Sequence, residues 1–365
     1  MERYTLGALE QMGLVTMGRG KIISRRAMQA MPGDYPVYSS SASGDGEIGR
    51  YGDFMFDDER ITWSIDGGGK FFFRSGIRYS VTNVGGWIHT ESPRLLPKFL
   101  YHVLAAQWEG KHFDYVKKAL PGVIRTEYTV PLPPAETQRK IADILDTFRA
   151  LIDTLGEELE GRKIQLDALR TRLLTGEKIP LSHVAELVDC PHTTPEWQES
   201  GVPVIRNFNL RDGKIQCERL FFVSEEEYRL RIRRAEPAPG DLLFSREAPV
   251  GNVGIVPEGF RCCQGQRVVL LRPRREKILP EYLAQAMQSA GVLGQIRRAQ
   301  TGSTVANLTL ADMKKLGIPV PDLKIQQKIL ENLEPLLELT ADILPAEIAG
   351  REAQLRAVRD RIIPE

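Results

Sequence analysis

The side chains able to do chemistry in this chain fall into a few groups, and none has the spacing that catalysis requires. Gly67-Gly68-Gly69-Lys70 sets a lysine after glycines, as a phosphate-binding loop does. It lacks the spaced first glycine and the following Ser or Thr of such a loop, so it reads as a flexible turn or a contact loop. Cys190, Cys217, Cys262 and Cys263 have no paired C-x-x-C spacing, and adjacent cysteines rarely serve one metal; reduced structural thiols outrank a zinc site. His89, His102, His112, His183 and His192 are scattered, and only His192 beside Cys190 forms a pair, for which a local structural role is the better reading. No nuclease-type cluster of paired carboxylates with lysine stands out. The expectation is a non-enzyme with no catalytic residues and no metal site.

The dominant feature is a seam rather than a site. After Val130-Pro131-Leu132-Pro133-Pro134, apolar residues fall at Ile141, Leu145, Phe148, Ile152, Leu155, Leu159, Leu166, Leu169 and Leu173. Steps of four and three, sustained this long, predict a helix packed lengthwise against another helix. Pro134 and Glu136 suit its start and Gly176 its end. Only Arg162 interrupts the series; it either fixes register or, by a slight preference, snorkels out of the seam.

The partner helix is a second copy. Ile318-Pro319-Val320-Pro321 repeats Val130-Pro131-Leu132-Pro133 at an offset of 188 residues, and Gln138, Ile141 and Leu145 meet Gln326, Ile329 and Leu333. Further on, Leu166 and Arg170 meet Leu355 and Arg359 at an offset of 189. Val358 and Ile362 continue that second seam. One residue is therefore inserted near Pro345, where a kink or break is expected, with strain also at Pro335.

Ahead of each helix lie short β-type runs with glycine punctuation, such as Ile61-Thr62-Trp63-Ser64-Ile65 before the first and Gly240-Asp241-Leu242-Leu243-Phe244-Ser245 before the second. The plan is α+β, a tandem repeat of two α/β domains (1–130 and 177–317), each followed by a long helix (131–176 and 318–365). Antiparallel pairing of the helices as a coiled coil would relate the halves by a pseudo-twofold axis. A length of 365 residues fits this, and a composition of 27% charged and 42% hydrophobic residues is that of a soluble globular protein. With no apolar run of 18 residues and no N-terminal signal pattern, a cytoplasmic protein is expected. The net charge of +1 leaves any polyanion partner to be met by local patches.

In this order, Val130-Pro131-Leu132-Pro133-Pro134 with Gln138, Ile318-Pro319-Val320-Pro321 with Gln326, the two seams, and Gly240 to Arg246 followed by Val250-Gly251-Asn252-Val253-Gly254 resemble the specificity (S) subunits of type I restriction-modification systems. The resemblance covers nearly the whole chain. It implies two target-recognition domains, each reading one half of a bipartite double-stranded DNA target, and helices that set the spacer and dock two methyltransferase (M) subunits. Restriction/translocase (R) subunits would join to cut unmodified DNA in phage defence. S-adenosylmethionine would belong to the methyltransferase. This chain shows neither a glycine-rich cofactor turn nor the Asp/Asn-Pro-Pro-aromatic tetrapeptide of an adenine methyltransferase.

If the resemblance holds, guanidinium and amide groups should face base edges, and basic and hydroxyl groups the phosphates. The candidates are Lys21, Arg25, Ser40, Ser41, Ser43, Lys70 and Arg74 in the first domain. In the second they are Arg206, Asn207, Asn209, Arg246, Gln264, Gln266, Arg267, Arg297, Arg298, Thr301 and Ser303, with Arg206-Asn207 and Arg297-Arg298 foremost. Arg231, Arg233 and Arg234 lie in a charged helix-like run expected to face solvent. The rival readings are a coiled-coil scaffold whose heads bind proteins, a self-contained methyltransferase or nuclease, and a specificity module of another phage-defence complex.

Overall fold

The computed structural model describes every residue except 1, 42–43, 115, 248, 301–307 and 364–365. The chain packs as two compact units, residues 1–154 with 349–365 and residues 155–348. Each unit thus holds one globular part, a portion of the first long helix and a portion of the second.

The first unit is tied at its base by Arg3–Thr5 pairing antiparallel with Thr129–Pro131. Its larger sheet is antiparallel, in the order Val15–Arg19, Gly85–Thr90, Arg60–Ser64, Phe71–Arg74. A smaller sheet has Tyr35–Tyr38 in the centre, antiparallel to Glu47–Tyr51 and parallel to Ser80–Val81. Strand Arg60–Ser64 is buried from Ile61 onward, and the Trp63 indole N–H donates to the Ala119 carbonyl at 2.8 Å. Helix Pro97–Trp108 starts on proline, where no N–H is needed, and buries Phe99, Leu100, Val103 and Leu104.

The second unit repeats this topology in its base pairing and its two sheets and adds a short hairpin of Leu210–Arg211 with Lys214–Ile215. Lys178–Pro180 pairs antiparallel with Gly317–Pro319. The four-stranded antiparallel sheet runs Ala185–Val188, Val268–Pro273, Leu242–Ser245, Val253–Ile255. In the smaller sheet Val202–Ile205 is central, antiparallel to Phe221–Val223 and parallel to Cys263–Gln264. Helix Pro280–Met287 again begins on proline. Order and sense of the strands agree in both halves, so the duplication read from the proline entries extends through the globular parts.

The first long helix spans Ala135–Leu173, 39 residues. Leu145, Ile152 and Leu166 are buried and the other six seam residues half-buried, while Ile144, Leu151 and Ile164 point outward. Burying a leucine of this kind stabilises by roughly 1.5–3 kcal/mol. In the first unit Leu145 and Arg149 line one cavity with Leu355, Arg356 and Arg359, and Arg359 pairs with Glu109 at 2.7 Å. In the second, Leu166 and Arg170 line another with Leu337 and Thr340. Arg162 lies along its own helix, 3.2 Å from Glu158 and 3.1 Å from Gln165.

The second long helix is α-helical over Leu323–Glu338 and Leu344–Ile362, joined by a π-helical turn at Leu339–Ile343. A single extra residue in an α-helix is accommodated in this way, by bonds that reach one residue further. The Leu344 N–H donates to the Leu339 carbonyl. The insertion inferred from the change of offset therefore lies just before Pro345, which sits in the first turn after the bulge. Ile329, Leu333 and Leu355 are buried; Val358 and Ile362 are half-buried.

One expectation is corrected. Arg231 does not face solvent: its guanidinium is buried, paired with Glu227 at 2.9 Å and donating to the carbonyls of Gln264 and Thr193. Helical spacing puts it on the inner face of Glu225–Arg231, where Nε and Nη1 find partners and Nη2 finds none among the described residues. Arg233 and Arg234 are exposed.

Candidate nucleic-acid interface

In the first unit the candidates separate into surface groups and groups that build the surface. Lys21 and Arg25 are exposed, Lys21 in a bridge with Thr82 and Arg25 opening the helix Arg25–Ala30. Ser40 and Ser41 are half-buried in the loop after Tyr35–Tyr38; Ser43 lies outside the described residues. Lys70 is half-exposed, its ammonium 5.1 Å from the Phe72 ring.

Arg74, in contrast, is turned inward and is only 6% exposed. Its guanidinium lies 3.4 Å from the Tyr38 ring centroid, donates to Thr62 Oγ1 at 3.1 Å and donates to the Asp45 carbonyl. It braces the loop that carries Ser40 and Ser41 instead of offering its own N–H groups to a ligand. The Gly67–Lys70 turn is also structural. Gly68 and Gly69 have φ of +88° and +77°, the Trp108 indole donates to the Gly68 carbonyl, and a side chain on Gly67 would collide with the Ser40 carbonyl.

In the second unit Asn209 and Gln264 are fully buried and likewise correct the list. Gln264 donates to the carbonyls of Val188 and Val268. Asn209 accepts from the Arg206 backbone N–H and donates to the carbonyls of Gln216 and Arg219. Both amides are thus spent on backbone groups, as buried polar side chains commonly are. Arg246 pairs with Asp189 at 2.9 Å, and Arg267 with Glu247 at 2.9 Å. Gln266 donates to the His192 carbonyl. Arg206 and Asn207 are half-exposed, Arg297 and Arg298 exposed at the end of helix Ala290–Ala299. Thr301 and Ser303 fall outside the described residues.

Cys262 and Cys263 are buried, and burial pushes both thiols up to about 12, which makes them poor nucleophiles and ligands at neutral pH. His192 lies 3.2 Å from Asp189. Among the described residues no group of three His, Cys, Asp or Glu could hold a metal ion, and no helix is long and apolar enough to cross a membrane. A different surface lies along the second long helix in this unit: a cleft of 990 Å³ with Ile215, Ile255, Leu330 and Leu337 on its walls and Glu281, Glu331, Glu334 and Glu338 around them. Its carboxylates would repel a polyanion.

Residues 5–161 and 177–349 each match the family described as the type I restriction modification DNA specificity domain. The chain belongs to this family. The specificity subunit of the type I restriction enzyme MpnII of Mycoplasma pneumoniae is 36% identical over 157 residues, 41% of this chain and 47% of that one. A candidate type I specificity subunit of the same organism is 24% identical over 363 residues, covering 94% of this chain and 93% of that one. The crystal structure of the S subunit of a type I restriction-modification system from M. genitalium matches with a TM-score of 0.59 at 14% identity, over 100% of this chain and 96% of that one. The first relatives are matched over only 47–62% of their own length. The family has the fold described above, two recognition-type domains in tandem with long helices between and after them.

Sequence reasoning missed Trp197, Phe208, Phe221 and Arg219, which cluster around Arg206. Phe208 lies in the helical turn Asn207–Asn209 that follows Arg206, but Trp197 and Arg219 come from separate loops and Phe221 from a strand, so no single local spacing unites them.

Proposed function

We propose that the chain is the DNA-specificity subunit of a type I restriction-modification complex, with each globular part reading one half of a bipartite target. The observation that carries this is the duplication of one scaffold with different side chains at equivalent places. After the central strand of the small sheet, the first unit presents Ser39, Ser40 and Ser41, and the second presents Arg206 and Asn207. The same framework with unlike loops suits two unlike half-sites. The chain itself is non-catalytic in this reading. Two methyltransferase subunits supply S-adenosylmethionine and the transfer of the methyl group to a flipped adenine, and restriction subunits join them in the cytoplasm.

The methyltransferases dock on the long helices. Outward-facing Ile144 and Leu151, Ile164, and the acidic cleft along residues 327–341 are surfaces that DNA would not use. The helices also set the spacer between the half-sites. Co-expression with an adjacent methyltransferase, followed by mapping of methylated adenines, tests the function: a two-part motif with an unread spacer is expected, lost when this chain is deleted. Methylation indifferent to the chain would refute the reading. Adding one heptad to both long helices should change the spacer preferred, and an unaltered spacer would remove that part of it.

A further inference from the structure

The second unit carries an open aromatic patch whose cations are left unneutralised. Trp197 and Phe208 are 40% and 37% exposed, and both pack on Phe221, with ring centroids 5.2 and 6.0 Å away. The Arg206 guanidinium lies 5.0 Å from the Phe208 and Phe221 centroids and 5.5 Å from Trp197. That of Arg219 lies 5.6 and 5.5 Å from Phe208 and Phe221. Arg246, Arg261, Arg267 and Arg272 of this unit each pair with a carboxylate. Among the described residues Arg206 and Arg219 have none.

The two arginines are brought together by Asn209. Its buried amide holds the Arg206 N–H at 3.1 Å and the Arg219 carbonyl at 2.9 Å, so one side chain fixes both ends of the loop between them. A guanidinium held over a ring loses little freedom on binding and keeps a planar N–H edge for a planar pair of acceptors. In the major groove that pair is N7 and O6 of guanine. A phosphate can meet the same fork but carries no sequence information, and an acidic protein surface would not call for two exposed rings packed on a half-buried third.

We propose that Arg206 and Arg219, held on the Trp197–Phe208–Phe221 platform, read a G·C base pair in the half-site of the second domain, with Asn209 as the residue that positions them. This rests on the specificity-subunit reading above.

The test uses the full chain in complex with its methyltransferase and a DNA library randomised over both half-sites, with adenine methylation as the readout. Arg206→Lys and Arg219→Lys keep the charge and lose the planar fork. The wild-type complex should require G·C at one position of one half-site, and at least one lysine variant should lower that preference roughly 10- to 100-fold, leaving the other half-site read as before. Asn209→Ala should relax the same position. Lysine variants with an unchanged motif would overturn the proposal, as would a uniform fall in methylation across all sequences with a shallower salt dependence, the mark of phosphate contacts. An Asn209→Ala protein that is less stable but retains the full preference would overturn the positioning role. If the wild-type complex gave no bipartite motif at all, the specificity reading itself would fail; a bipartite motif lacking the G·C requirement would fail only this inference.

Discussion

Gln326 repeats in the second unit every hydrogen bond that Gln138 makes in the first. Gln138 Oε1 accepts from the Leu96 N–H at 2.8 Å, and its Nε2 donates to the carbonyls of Arg94 and Pro133. Gln326 Oε1 accepts from the Leu279 N–H at 2.9 Å, and its Nε2 donates to Lys277 and Pro321. Both side chains are fully buried. Each therefore fastens three pieces of backbone: the proline entry to a long helix, and two points ahead of the proline-started helix of its globular part. The repeat is preserved here because a primary amide is the one side chain of this size that accepts and donates twice over at once.

Removing either amide should leave one backbone N–H and two carbonyls buried without partners. Gln138→Ala is expected to lower stability by about 2–3 kcal/mol, and Gln326→Ala by as much. Gln138→Glu should be no better, since a carboxylate accepts from Leu96 but cannot donate to the two carbonyls. Urea unfolding of the three variants checks this. A midpoint shared with the parent chain would mean that the surrounding backbone finds other partners.

Much of this architecture was legible because helix seams and proline entries are local patterns repeated at a fixed offset. The seam residues point inward, and the shift of offset from 188 to 189 located the bulge. The buried polar residues were not legible. Arg74, Asn209, Gln264 and Arg231 look in sequence like surface cations and amides, and only tertiary packing shows that they satisfy backbone or rings. The platform around Arg206 was half visible: the arginine stood out, but Trp197, Phe221 and Arg219 reach it through folding alone.

Arg74 gives a prediction that separates building the interface from belonging to it. Its guanidinium joins Tyr38, Thr62 and the loop carbonyl of Asp45, so Arg74→Met should cost about 2–3 kcal/mol through the lost charge-assisted bonds. The loop with Ser40 and Ser41 would lose its brace. Methylation by the assembled complex should then fall for variants of the first half-site only, with KM for DNA rising more than kcat changes. Were Arg74 a direct phosphate contact, the loss would come with an unaltered unfolding midpoint.

His102 makes the first unit sensitive to mild acid. Burial holds its pKa below the ordinary 6.5, although the Asp146 carboxylate 2.7 Å from Nε2 works in the other direction. Asp146 resists its own burial through hydrogen bonds from Lys98 and His102 and also ends below its ordinary 3.8. For both groups the unfolded chain binds a proton that the folded chain refuses. The His102 contribution is thus complete above pH 6.5 and is lost as pH falls through the lower folded value; that of Asp146 is lost only at more acidic pH. His102→Gln keeps an N–H for Asp146 but does not titrate. Its thermal midpoint should be close to the parent's at pH 8 and fall less steeply just below pH 6.5. Parallel curves for the two proteins would contradict the assignment.

The π-helical turn at Leu339–Ile343 yields the most demanding prediction. An inserted residue that is absorbed as a bulge leaves the faces of the helix before and after it in phase. Deleting Ala341 should then restore a regular helix without rotating the seam beyond it. Pro345 has to be replaced at the same time, because its ring would clash with the carbonyl four residues earlier once the wider turn is gone. The deletion combined with Pro345→Ala is expected to remain folded, with an unfolding midpoint at or above the parent's. Its local loss is the 2.5 Å pair between Lys214 and Asp342, both exposed and worth little in water. Deleting Ala150 from the uninterrupted first helix is the control. There is no bulge there to remove, so every seam residue beyond it turns by about 100° and the midpoint should drop sharply. Equal destabilisation by the two deletions would show that the turn does more than accommodate an extra residue.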